Sequence, residues 1–149
     1  MKKNVVFTDF KIPEEWGFIK TLNELDKNWE IENKINNEKT DSLLKKIKRY
    51  LVFIFFPFTR FLRRKKYNKI IAWQQFYGLM YAFYCNLFKV KKCNRLIVMT
   101  FIYTNKDGII GKLKYKFTKF AICNQYVDKI VVFSHNEVEY YARIFNEAK

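Results

Sequence analysis

The hydrophobic pattern alternates between a strand-like and a helix-like period, and each switch marks an element. Asn4–Phe10 (NVVFTDF) is a β-branched and aromatic run that stops at a polar turn, which predicts a first strand. Pro13 stands where a helix begins, with Glu14 and Glu15 in a first turn that the helix dipole makes favourable for acids. Phe18, Ile19, Leu22 and Leu25 follow at helical spacing, up to about Asp26. Trp29–Asn33 (WEIEN) alternates like an exposed second strand, and Lys34–Lys39 is a polar loop. Thr40 or Asp41 can cap the next helix, whose apolar positions Leu43, Leu44, Ile47, Tyr50, Leu51 and Ile54 are three and four apart. Pro57 is expected to kink or break it, leaving a second piece, Phe58–Arg64.

In Lys69–Gly78 (KIIAWQQFYG) a buried-strand run halts at two amides, Gln74 and Gln75, before an aromatic helix over Phe76–Phe88. Arg95–Tyr103 (RLIVMTFIY) is apolar without alternation, as in a strand covered on both faces. A basic helix over Gly111–Cys123 and a fifth strand over Asp128–Phe133 follow. Ser134 and Glu137 then form a capping box that opens a last helix, Asn136–Phe145. Five strand–helix units in alternation predict an α/β fold, a Rossmann-like parallel sheet of about five strands with helices on both faces. The expected strand order is 3-2-1-4-5, with the first, third, fourth and fifth strand ends lining one edge. Ligands bind at the carboxyl ends of strands in such sheets, so the amide pair marks a candidate site; a helix-capping role is the alternative.

With 149 residues the chain is read as a single domain, able to bury roughly two-thirds of its unfolded surface. Sixteen Phe and ten Tyr argue against disorder and for an aromatic core. The net charge of +15 is unevenly spread: residues 43–66 and 67–119 carry +9 each, the two ends sum to −2 and −1, and 43–66 holds no acid. Such a field favours an anionic partner. Cys85, Cys93 and Cys123, with His135 apart, have the spacing of neither a zinc site nor a disulfide framework. They read as reduced cysteines of a cytoplasmic protein. No secretory signal is visible, and the longest apolar run, Leu51–Phe58, is far below the ~20 residues a membrane-spanning helix needs.

The chemistry the residues allow is narrow. Phe10–Glu14 stands where a dinucleotide-binding turn would carry its glycines, and the phosphate-loop pattern is absent. His135 after a strand reads more readily as a helix-start residue than as part of a nucleophilic triad. Three readings of the basic aromatic helix stay open. Lys45, Lys46, Lys48, Arg49, Arg60, Arg63 and Arg64 with Phe53 and Phe56 suit an anionic membrane surface. The same residues suit a solvated face over an aromatic core, and least well a nucleic acid, for which no binding motif is present.

Lys69–Gly78, Arg95–Tyr103 and above all Asp128–Phe145 (DKIVVFSHNEVEYYARIF) resemble the N-terminal half of a bacterial GT-B glycosyltransferase of the GT4-like (group 1) kind. The resemblance implies half of a GT-B fold, facing a glycan or lipid-linked acceptor in polysaccharide synthesis, peripheral at the inner face of the cell membrane. A second, C-terminal domain would bind the nucleotide-sugar donor; no cofactor belongs to this half and no nucleic acid partner is expected. The family's Gly-rich loop is reduced to Trp16-Gly17, and the donor motif of the second domain lies beyond the chain, which is therefore expected to be a fragment that transfers no sugar alone. The positions matching the family's cleft wall are Gln74, Gln75 and Tyr77, Tyr103, Thr104 and Asn105, and Ser134 and His135. Their amides and hydroxyls imply acceptor contact, with no catalytic group and no metal ligand among them.

Overall fold

Val5-Val6-Phe7 and Ile70-Ile71-Ala72 have no polar face, so each needs a strand on both edges and cover on both sides. The computed structural model, which describes residues 2–26, 29–34 and 42–146, meets that need with a five-stranded, wholly parallel sheet. The strands are β1 (Lys3–Thr8), β2 (Trp29–Asn33), β3 (Tyr67–Ala72), β4 (Arg95–Val98) and β5 (Lys129–Ile130). They alternate with α1 (Gly17–Leu25), α2 (Leu43–Leu62), α3 (Gln75–Leu87), α4 (Gly108–Ile122) and α5 (His135–Ile144). This is a Rossmann-like α/β fold.

The sheet order is β2-β1-β3-β4-β5, which corrects the expected 3-2-1-4-5. The reason lies in the strands themselves. The expected order put the apolar β3 at an edge and the charged WEIEN strand inside; the structure does the opposite, pairing Ile70, Ile71 and Ala72 with Val5, Val6 and Phe7 and leaving β2 outermost. The chain steps from β1 to β2, then returns across β1 to β3. Right-handed crossovers therefore put α1 on one face and α2 to α4 on the other. The topological switch point falls between β1 and β3.

The main core lies under α2 and α3, where Val5, Phe7, Ile70, Ala72, Leu96 and Val98 meet Phe56, Tyr77 and Tyr81. Phe7 makes edge-on ring contacts with Phe56 and Tyr67, 5.8 and 5.9 Å between centroids, so the aromatic richness is spent largely inside. Gly78 lets α3 approach the sheet: a Cβ built there would stand 2.7 Å from the Ala72 Cβ and 2.9 Å from a Val98 methyl.

Several predicted boundaries move, each for a local reason. Trp16 is extended (φ −86°, ψ 99°) and packed among Phe10, Phe18 and Trp73, so α1 starts at Gly17 and Pro13–Glu15 precede it. Pro57 does not break α2, which runs on to Leu62 with the proline ring buried. The Tyr84 hydroxyl donates to the Ile54 carbonyl (3.2 Å), serving an acceptor in the turn that the proline loosens. β4 stops at Val98, since Thr100 is left-handed (φ 50°); pairing resumes where Phe101 N donates to the Val131 carbonyl (3.0 Å). The expected capping box is present: Glu137 N donates to Ser134 Oγ (3.3 Å) and Ser134 N to Glu137 Oε2 (3.2 Å). Thr40, Asp41 and most of the loop before them lie outside the described residues.

The edge strand β2 is tied down by two carboxylates: Glu30 pairs with Lys3 Nζ (2.5 Å), and Glu32 has several partners. Glu32 accepts from Arg60 Nε (2.7 Å), pairs with Lys3 Nζ (3.0 Å) and accepts from the Tyr67 hydroxyl (3.2 Å). Burial opposes the charge of Glu32, but the hydrogen bond from Lys3 and the Arg60 charge outweigh it and hold the carboxyl below its ordinary range. Burial, with Glu32 adding to it, pushes the Tyr67 phenol up to about 12. A lowered carboxyl pKa contributes stability above the ordinary carboxylate range that is lost as pH falls through the lowered value. Glu32→Gln is therefore expected to lower stability by about 1–2 kcal/mol at neutral pH and to flatten the acid limb of a circular-dichroism unfolding profile. An acid limb as steep as the wild type's would contradict this role.

Candidate functional site

Strands β1 and β3 leave the sheet side by side, and both end in polar residues. Trp73 N and Gln74 N donate to the Phe7 carbonyl (2.9 and 3.3 Å), which locks the two exits together. Asp9, only 5 % exposed, accepts from Gln74 Nε2 (2.8 Å), its hydrogen-bond partner among the described residues. A carboxylate has about four acceptor positions, so Asp9 keeps capacity beyond this bond. The Thr8 hydroxyl, next to it in the chain, is buried and has no hydrogen-bond partner among the described residues. Buried polar groups are ordinarily paired, which makes two incompletely used ones at a switch point a site feature.

Gln74 does two jobs, because its Oε1 also accepts from Phe76 N (3.1 Å) and caps α3. The neighbouring amide joins the next strand end: Gln75 Oε1 accepts from Ile102 N (2.8 Å), and Thr100 Oγ1 donates to the Trp73 carbonyl (2.9 Å). Thr100 is β-branched in the left-handed region, a costly conformation held by that hydrogen bond and by the resumed pairing after it. Tyr77 is fully buried and donates from its hydroxyl to the Lys34 carbonyl (3.0 Å). Burial, then the Asp9 charge, raises its pKa, so the phenol stays protonated.

Aromatic rings flank this polar group. Trp73 lies 5.0 Å from Trp16 and 4.7 Å from Phe18, and Trp16 lies 5.4 Å from Phe10, all centroid to centroid. All four are half-buried. A cleft of about 580 Å³, lined by Ile12, Glu14, Trp16, Lys20 and Ile31, shares Trp16 with the cluster.

The remaining predicted contacts form two other groups. Tyr103 is buried against Phe145 (4.9 Å) with Lys114 Nζ over its ring (4.8 Å), and its peptide N–H donates to the Tyr141 hydroxyl (2.9 Å). Thr104 and Asn105 are exposed beyond it, and the Thr104 carbonyl accepts from Lys114. Ser134 is occupied as the α5 cap, and His135 is exposed with Nε2 3.8 Å from Glu139. Asp9, Thr8, Trp73 and Thr100 are absent from the sequence-based set. Their signal was the polar halt of the first strand, VVFTDF, which matches the halt at Gln74-Gln75 but gains meaning only once β1 and β3 are neighbours.

The basic helix divides by depth. Lys45, Lys46, Lys48 and Arg63 are exposed, whereas the Arg60 guanidinium lies over Phe56 (4.2 Å) while it pairs with Glu32, and Arg64 lies over Phe61 (4.9 Å). Phe56 is buried in the core and Phe53 half-buried against Phe76 and Tyr77. The apolar side chains that α2 exposes are Leu43, Leu44, Ile47, Tyr50, Leu51, Ile54, Phe55 and Leu62. Among the described residues no helix is long and apolar enough to cross a membrane, and no three His, Cys, Asp or Glu side chains are grouped to hold a metal ion. Cys85 is buried, which pushes its thiol up to about 12.

The chain is a Rossmann-like α/β domain whose β1/β3 switch point carries the Asp9–Gln74 pair, with Trp73, next to Gln74 in the chain, packed against Trp16. No protein-family profile, no curated protein and no solved structure matches the chain.

Proposed function

We propose that the chain is the acceptor-side, N-terminal domain of a two-domain glycosyltransferase that works at a membrane surface on a glycan or lipid-linked sugar. The observation that carries this reading is the set of Asp9, Gln74 and the Trp16–Trp73 pair at the switch point. A carboxylate and an amide accept from and donate to sugar hydroxyls, while indole rings match the apolar face of a pyranose. None of these groups is offered as a proton-transfer catalyst. In this reading a second domain binds the donor sugar nucleotide.

The test uses a longer chain that carries a second nucleotide-binding domain after residue 149, assayed for transfer from nucleotide sugars to lipid-linked glycans. Asp9→Asn keeps the bond from Gln74 and removes the charge, so it is expected to lower kcat/KM about 10- to 150-fold, the worth of one charge-assisted hydrogen bond. No transfer with any nucleotide sugar, together with no nucleotide binding, overturns the proposal. The exposed cations and apolar side chains of α2 favour a second reading, a non-catalytic domain that docks on anionic membranes.

A further inference from the structure

Helix α4 has no part in any of the preceding roles, and its first turns leave three aliphatic side chains in solvent. Ile109 and Ile110 are each 79 % exposed, and Leu113 is 62 % exposed. This tip is not a loose end of the chain. A Cβ at Gly111 would collide with the Lys106 carbonyl, so the loop entering α4 is folded directly against the turn that presents the two isoleucines. Gly111 is buried there while its neighbours stay outside.

The topology sets this tip beside another of the same kind. α2 ends at Leu62 just before β3 begins at Tyr67, and α4 ends at Ile122 before β5 begins at Lys129. Both helices therefore run back along the parallel sheet, and both start at the carboxyl ends of the strands, where Asp9 and Gln74 also stand. With 20 residues α2 is about 30 Å long, against about 20 Å for the six-residue β3, so its first turns overhang the sheet. There Leu43, Leu44 and Ile47 are exposed. α3 contacts both helices and lies between them, which leaves two separate prongs at one end of the domain.

We infer that the first turns of α4 are a second bilayer-inserting element, which together with those of α2 docks the domain with the carboxyl end of its sheet toward an anionic membrane. Lys106, Lys112 and Lys116 are exposed around the α4 tip, as Lys45, Lys46 and Lys48 are around the α2 tip. The acid at the α4 tip is Asp107, in the N-cap position, and 43–66 has none. Protein interfaces are depleted of lysine; aliphatic tips ringed by lysines match an acyl boundary beneath anionic head groups. One prong lets a docked domain pivot, and two on the same end hold it in one orientation. The inference rests on the membrane-surface reading and extends it, since it turns the Asp9–Gln74 end to the bilayer. Docking itself does not require sugar transfer.

The experiment sediments the 149-residue chain with vesicles of phosphatidylcholine alone and of phosphatidylcholine mixed with phosphatidylglycerol. The wild type is expected to prefer the anionic vesicles. Ile109→Ser with Ile110→Ser is expected to weaken that binding about tenfold or more, with an unchanged circular-dichroism melt, because both side chains are already in solvent. Leu62→Ser with Leu87→Ser removes two exposed aliphatics at the opposite end of the helices and is expected to leave binding within about twofold. Ile110→Trp is expected to add fluorescence that acyl-brominated lipid quenches, beyond any quenching of the three native tryptophans. A wild type without preference for anionic vesicles, an isoleucine pair that can be removed without loss, or an equal loss from the Leu62–Leu87 pair overturns the proposal. If the isoleucine pair has no effect while a longer, two-domain chain transfers sugar, the α4 prong is wrong and the glycosyltransferase stands. Oriented docking by a chain whose two-domain form transfers nothing would do the reverse.

Discussion

Gly78→Val is expected to lower the unfolding free energy by more than about 3 kcal/mol, a fall in Tm of roughly 6–12 °C for a domain of this size. A Cβ at this position meets the Ala72 Cβ at 2.7 Å and a Val98 methyl at 2.9 Å, and both belong to central strands that cannot swing aside. The helix must therefore lift from β3 and β4, drawing its own fully buried Tyr77 and Tyr81 away from the sheet. Gly78→Ala separates the effects: its clash is partly offset by about 1 kcal/mol of better helix propensity, so it falls between wild type and valine. Thermal unfolding followed by circular dichroism reads both. A valine variant within about 2 °C of wild type would mean that α3 does not sit on the sheet as described.

The second large effect concerns the surface. Replacing Lys45, Lys46 and Lys48 together by Gln is expected to weaken binding to anionic vesicles about 100-fold or more, from about 1 kcal/mol for each cation near a charged membrane. All three side chains are exposed on the first turns of α2, so folding should be unchanged within about 0.5 kcal/mol. Raising the salt should weaken the wild type in the same direction, because exposed charges are screened. Vesicle sedimentation decides the matter. If the wild type shows no preference for anionic over neutral lipid, membrane docking by this helix is wrong, and the cations are a solvated face.

Arg60 and Phe56 show why charge and aromatic content alone could not sort this helix. Both belong to the same basic run as Lys45, but Phe56 is core and Arg60 is spent on Glu32, from a strand nearly thirty residues earlier. Periodicity identifies the apolar face of a helix. It does not say how far along its length that face has a partner, and α2 has one only where α3 and β1 lie beneath it. Pro57 is a similar case: local chemistry predicts a kink or break, but the helix runs through it with the proline ring buried in the core, and the Tyr84 hydroxyl from another helix bonds the nearby Ile54 carbonyl.

The candidate site was half visible for the same reason. Gln74 and Gln75 stood out because a buried strand stopped at them, and both do make the hydrogen bonds that order the strand exits. Asp9 carried the same signal but remained a turn residue as long as β2 was placed beside β3. By itself the sequence determined the alternation of five strands and five helices, the Ser134–Glu137 cap and the concentration of positive charge, since each depends on residues within a turn or two of one another. Only the tertiary structure decided that β3 pairs with β1, that a buried carboxylate meets an amide sixty-five positions away, and which cations stay in solvent. Those outcomes depend on which apolar faces cover one another, a competition among segments far apart in the chain that no local pattern records.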